Sequence, residues 1–141
     1  MWEKSTGDLK RELMGQADLD KYITENAPCF ATANIADLLT QLYKECGISK
    51  AELARRAEIS EVYLHQVLSG RRTPSRDRLL CICIGMGAEL EVIQRLLKQS
   101  GFAELYPRIK RDAVMIYGIL HRMPLTELND KLFAENEKTL F

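Results

Sequence analysis

Only two histidines occur in this chain, His65 and His121, and neither has a carboxylate at a spacing that would make an acid–base pair. Asp37, Asp112 and Asp130 fall in different predicted helices. Runs of β-branched residues with period two are missing, and so are Asn-Gly and Asp-Gly hairpin turns. With no strand there is no strand to precede a glycine-rich phosphate loop. These absences exclude an enzyme, and no catalytic residue is assigned. Long apolar runs are also missing. The longest, near residues 79–86 and 113–120, fall far short of the roughly 20 residues a membrane span needs. The opening MWEKSTGDLKREL holds no apolar centre of a signal peptide. A cytoplasmic protein with no membrane partner is expected. Cysteine is sparse: Cys29, Cys46, Cys81 and Cys83 form no pair of clusters, and Cys81 and Cys83 stand two apart, on different sides of a helix. Buried, reduced thiols are expected, with no metal and no cofactor.

Net charge is zero, which is no general footprint for nucleic acid. Its distribution is uneven. Residues 1–46 carry five basic and eight acidic side chains, whereas residues 47–78 carry seven basic and four acidic. Screening limits the reach of distant charges to roughly 8–10 Å, so a local excess can still hold phosphates. Arg55 with Glu52 and Arg76 with Asp77 are the pairs expected to offset part of it.

What the chain does have is helical periodicity nearly throughout, and 141 residues suffice for one domain with extensions. Helices are predicted over 6–16 and 18–25, the latter broken by Asn26-Ala27-Pro28. Asn34 is placed to cap a helix to Cys46, with Ile35, Leu38, Leu39, Leu42 and Tyr43 on one side and Gly47 ending it. Ser49 and Glu52 have the spacing of a capping box. Leu53, Ala54 and Ala57 give the next helix an apolar side, and Glu58-Ile59-Ser60 is the turn. Ser60 caps a further helix whose Leu64, Val67 and Leu68 face the core. Its other face presents Glu61, Val62, Tyr63, His65 and Gln66. Ser69-Gly70 ends it, Arg71 and Arg72 follow, and Thr73-Pro74 precedes Ser75, which caps a helix over 76–86 with Leu79, Leu80 and Cys83 inward. Gly85 and Gly87 close that helix. Leu90, Ile93, Leu96 and Leu97 stripe a helix over 89–99.

Two short helices, a tight turn and a basic loop are the order that places one helix in the major groove of DNA. The set Glu52-Leu53-Ala54, Ala57, Ile59-Ser60, Gly70, Arg72 and Pro74-Ser75 resembles the Cro/λ-repressor-like, or XRE-type, helix-turn-helix family over about residues 35–86. The resemblance implies an all-α protein: a λ-repressor-like five-helix bundle with a helix-turn-helix, binding operator DNA and usually dimeric. Carried over by position, Lys50 would meet phosphate, Ser60 to Gln66 occupy the recognition helix, and Arg71 and Arg72 lie in the phosphate-facing loop. The chain departs from the family at Glu58, where glycine is usual, so a distorted turn is expected. Lys50 replaces a common glutamine. Glu61 sets a negative charge at the groove-facing end of the recognition helix, to accept from cytosine, to repel phosphate or to complement the helix dipole.

The organisation expected is an N-terminal helical extension (1–33), a helix-turn-helix domain (34–100) and a C-terminal helical extension (101–141). In the last, a helix over 108–122 is apolar nearly all round. It either packs under the bundle with the N-terminal helices around it, the favoured arrangement, or meets a second copy. A helix over 125–135 is capped near Thr126. Arg108, Lys110 and Arg111 form a second basic cluster, expected to be a solvated helix start. The functional expectation is a sequence-specific DNA-binding transcriptional regulator of a bacterial or mobile-element operon. Its partner is double-stranded DNA, a homodimer is consistent with either arrangement, and the C-terminal helices offer a surface to a protein partner. The alternative is a protein-interaction module that keeps the fold and has lost DNA binding.

Overall fold

The computed structural model describes residues 4–27 and 35–141. The predicted break at Pro28, the cap at Asn34 and the thiol of Cys29 lie outside the described residues. Among these residues the protein is all-α, with no strand. The helices run α1 (Thr6–Gly15), α2 (Leu19–Glu25), α3 (Ile35–Cys46), α4 (Lys50–Arg56), α5 (Glu61–Leu68), α6 (Arg76–Gly85), α7 (Leu90–Gln99), α8 (Lys110–Leu120) and α9 (Leu125–Ala134). None of the described helices is long and apolar enough to cross a membrane.

Local chemistry sets the helix ends. Ser49, Ser60 and Ser75 each have extended backbone, and each hydroxyl accepts from the backbone N–H three residues on, at 3.0–3.2 Å. This satisfies donors that helix geometry leaves without a partner. The expected capping box at Ser49 is only half made. The Glu52 carboxylate turns away from the cap to take Arg55 and Arg56 instead. A complete box stands at Ser5 and Asp8. The cap expected near Thr126 is not formed, because α9 already begins at Leu125 behind Pro124.

α3 to α7 make the bundle. α4 packs on α5 and α6, α3 on α5 and α7, and α6 on α7 and α9. α6 is the central helix: Leu79, Leu80, Cys81, Ile82 and Cys83 are all fully buried. The sequence assigned all-round burial to the helix over 108–122 and only one inward face to α6. The order is reversed. α8 buries Asp112, Met115 and Gly118 against α9 and α7, while Tyr117 and Leu120 remain more than half exposed. α8 and α9 contact α7 and α6, and the principal contacts of α1 and α2 are with each other. Gly85 does not close α6 from outside. It lies buried within the last turn, where a Cβ would stand 3.2 Å from the Ala57 backbone nitrogen, so it lets α4 cross closely.

Residues 101–141 are tied in by polar contacts as well as apolar ones. Leu105, Met115, Leu125, Leu128, Leu132 and Leu140 join the same core as the bundle. Arg76 and Asp77, expected to pair with each other, both reach across to α8. Arg76 meets Asp112 at 3.3 Å, and Arg111 grips Asp77 with two bonds of 3.1 Å. Asp112 also accepts from the Tyr106 N–H at 3.0 Å. The side-chain amide of Gln94 holds Leu105 by both its N–H and its carbonyl, at 2.7 and 2.8 Å. Asn129 holds the C-terminal residues Leu140 and Phe141 in the same way. The predicted basic cluster is thus largely spent: Arg111 on Asp77, and Lys110 on Glu135.

Candidate nucleic-acid interface

The turn between α4 and α5 carries the first surprise. Glu58 takes φ 55°, a left-handed conformation uncommon outside glycine. The turn is not distorted by it. Glu58 N–H donates to the Arg55 carbonyl at 3.3 Å and Ile59 N–H to the Ala54 carbonyl at 3.0 Å, the paired bonds of a Schellman ending. Ile59 packs on the core between the two helices, and Ala54 and Ala57 are buried beneath it. The cost of the left-handed residue is carried by these contacts rather than relieved by a change of geometry.

α5 leaves this turn with Leu64, Val67 and Leu68 buried. Its opposite face is open in part: Glu61, Val62 and His65 are exposed, and Tyr63 and Gln66 half-buried. Val62 is 69 % exposed, unusual for a β-branched aliphatic residue, and so sets an uncovered methyl pair at the centre of this face. Gly70 ends the helix at φ 83°, where Arg71 and Arg72 N–H groups return to the Gln66 carbonyl at 2.9 and 3.2 Å. The basic loop is therefore fixed to the helix it follows. Thr40 of α3 holds the same end through the Leu68 carbonyl at 3.0 Å.

The side chains expected to form the site are brought together. Lys50 Nζ lies 3.3 Å from His65 Nδ1, across the α4–α5 junction. A lysine ammonium can only donate, so Nδ1 is the acceptor in this contact. The Arg72 guanidinium stands 5.5 Å from the centre of the Tyr63 ring, a cation–π contact that fixes both. Ser60, through its cap, orders the first turn, where Glu61 complements the helix dipole.

Ion pairing decides which of the seven basic residues in 47–78 are available. Arg55 and Arg56 share Glu52, whose carboxyl is drawn down from 4.5 to about 2 by hydrogen bonds from Arg55 and then Arg56. Arg76 is committed to Asp112. Lys50, Arg71, Arg72 and Arg78 have no carboxylate partner among the described residues. Arg78 is the residue that the motif alone did not assign to the site. It is exposed on the first turn of α6 and shares an open cleft with Arg55, Ser60, Tyr63 and Arg72. Its signal in the sequence was its position three residues after the Ser75 cap, the same offset that puts Tyr63 beside Ser60.

No group of histidine, cysteine and acidic side chains among the described residues has the arrangement of a metal site. Cys81 and Cys83 are inert by burial, which pushes their thiols up to about 11 and about 12.

Comparison with known proteins agrees with this geometry. Residues 34–96 match the family of the helix-turn-helix domain. That match is consistent with an XRE-like member, and domains of this family typically act by binding DNA rather than by catalysis. No curated protein and no solved structure matches the chain.

Proposed function

We propose that this protein is a sequence-specific transcriptional regulator that seats α5 in the major groove of operator DNA. The observation that carries the proposal is the open outer face of α5 flanked by cations that no carboxylate neutralises. Gln66 has the donor and acceptor needed to bond adenine at N7 and N6 together, and Val62 and Tyr63 suit a thymine methyl. Lys50, Arg71 and Arg72 hold phosphates and fix the register, with Ser60 and His65 as hydrogen-bonding partners to the backbone. Glu61 accepts from a cytosine amino group or serves only the helix dipole. In this proposal residues 34–100 are the DNA-binding unit, with residues 1–33 and 101–141 as extensions. The protein works in the bacterial cytoplasm without catalysis or cofactor, and two copies occupy the two halves of one operator.

Selection of bound duplexes from a random DNA pool tests this. The native chain should enrich a defined motif, and the Arg71→Ala/Arg72→Ala variant should lose the enrichment. Log affinity should fall steeply with log salt, by about 0.9 for each phosphate held. Gln66→Ala should relax preference at one base position, whereas Arg71→Ala should weaken all sequences alike. The zero net charge and the exposed Tyr117, Leu120 and Phe133 favour a second reading, a protein-interaction module using the C-terminal helices. Absence of enrichment with either chain would select it.

A further inference from the structure

A second cleft, of about 480 Å³, lies behind the helix-turn-helix, between the end of α4, the end of α6 and the turn joining α8 to α9. This is within the range of small-molecule sites, roughly 300–1,000 Å³. Its floor is apolar: Ile84, Ala88, Ile119 and Met123 line it, each partly exposed for want of a covering group. Its edge is cationic. Arg55 and Arg56 approach from α4 and Arg122 from the opposite turn, with Glu58 as the single acid in the lining.

With Glu52 and Glu89 behind that edge and Glu58 in it, the three arginines are balanced in number, so a place for an anion depends on how loosely each pair is held. Arg55 and Arg56 divide one carboxylate, Glu52, between them. Arg122 reaches Glu89 only at 3.7 Å, with both side chains about two-thirds exposed, a pair that contributes little and is easily exchanged. Arg122 is instead placed by its bond to the Gly87 carbonyl at 3.2 Å. Backbone geometry singles out the same edge. Among the described residues three besides glycine have positive φ, and two of them, Glu58 at 55° and Arg122 at 53°, border this cleft. Both residues close helices by the same paired backbone bonds, which fixes the ends of α4 and α8 on either side of the cleft.

We infer that this cleft binds a small amphipathic monoanion: an apolar ring or short chain on the floor, with a carboxylate held between Arg122 and Arg56. A guanidinium binds a carboxylate through two parallel hydrogen bonds, and the exchangeable Glu89 yields its place to it. The site joins the α4–α5 turn to the C-terminal extension, so its occupant would brace the helix-turn-helix from behind. Binding itself is a property of the free protein and does not depend on the DNA-binding proposal.

The test uses the full chain labelled with 15N and a matched pair of probes, 4-phenylbutyrate and 4-phenylbutanol. Phenylbutyrate should shift the amides of Gly85, Gly87, Ala88 and Met123 saturably. The uncharged alcohol should bind roughly tenfold more weakly. Arg122→Gly should bring the acid down to the affinity of the alcohol while leaving the melting temperature unchanged or higher, because it relieves the left-handed backbone. Arg56→Gln, an exposed change within a formed helix, should weaken the acid and spare the alcohol. Four results would each overturn the inference: equal binding of acid and alcohol, shifts centred on Tyr117 and Leu120, no saturable shift, or an acid affinity indifferent to both substitutions.

Discussion

Glu58 concentrates the conflict between local preference and tertiary demand. A left-handed residue with a side chain costs about 1–2 kcal/mol, and glycine gives back part of that through its greater freedom when unfolded. Glu58→Gly should therefore stabilise the fold by about 1 kcal/mol, seen as a higher urea midpoint with an unchanged slope. If Glu58 also repels phosphate, DNA affinity should rise with it. The buried thiols give a second prediction at this scale. An unfolded thiol ionises near 9, whereas Cys81 and Cys83 hold their protons to about 11 and about 12. Below pH 9 both states are protonated and nothing is lost. Above it the unfolded chain releases protons first, so stability should fall progressively from pH 9 towards 12. Iodoacetamide at pH 8 should leave both thiols unmodified until the chain is unfolded, as peptide mapping would show. The residues of the α5 face were legible because their exposure follows from a period of 3.6 and the burial of Leu64, Val67 and Leu68. Arg78 was not assigned, because its place beside Arg72 depends on how a loop folds back.

For the helices, caps and stops carried most of the information. Ser49, Ser60 and Ser75 begin helices where the sequence put them, and the glycines at 47, 70, 87 and 101 follow helix ends at positive φ. What was misjudged is which helix lies inside. α6 and α8 have similar apolar content, and the choice is made by partners distant in sequence: α7 and α9 close over α6, while nothing described closes over Tyr117 and Leu120. The ties of Arg76 to Asp112 and Arg111 to Asp77 span more than thirty residues, so a local rule pairs Arg76 with Asp77 and fails. Burial makes these ties unequal to surface pairs. The Asp112 side chain is 4 % exposed, so Asp112→Ala leaves the Tyr106 N–H without its acceptor and Arg76 with backbone carbonyls alone, and should cost about 3 kcal/mol in urea unfolding. Glu89→Ala removes an exposed pair and should cost about 0.5 kcal/mol or less.

At the scale of the whole molecule, the two ends of the chain differ in standing. The C-terminal extension supplies six leucines and methionines to the one core cluster, from Leu105 to Leu140. A chain ending at residue 100 should lose them all and show helical circular dichroism without a cooperative melt. Tyr22 and Asn26 are buried outside that cluster, so a chain beginning at residue 34 should melt within a few degrees of the native one, a small change on the scale of about 4–8 °C per kcal/mol for a small domain. The extension could be read as helices from its sequence, but its structural necessity could not, since that depends on α9 reaching α6. Besides its core side chains and ion pairs, it is held by two carboxamides, those of Gln94 and Asn129, each giving one bond and taking one. Hydrolysis of either amide would replace a donor with a carboxylate oxygen facing a carbonyl. Slow deamidation would thus loosen residues 101–141 one grip at a time, and stored protein should lose the sharpness of its melt before it loses its helices.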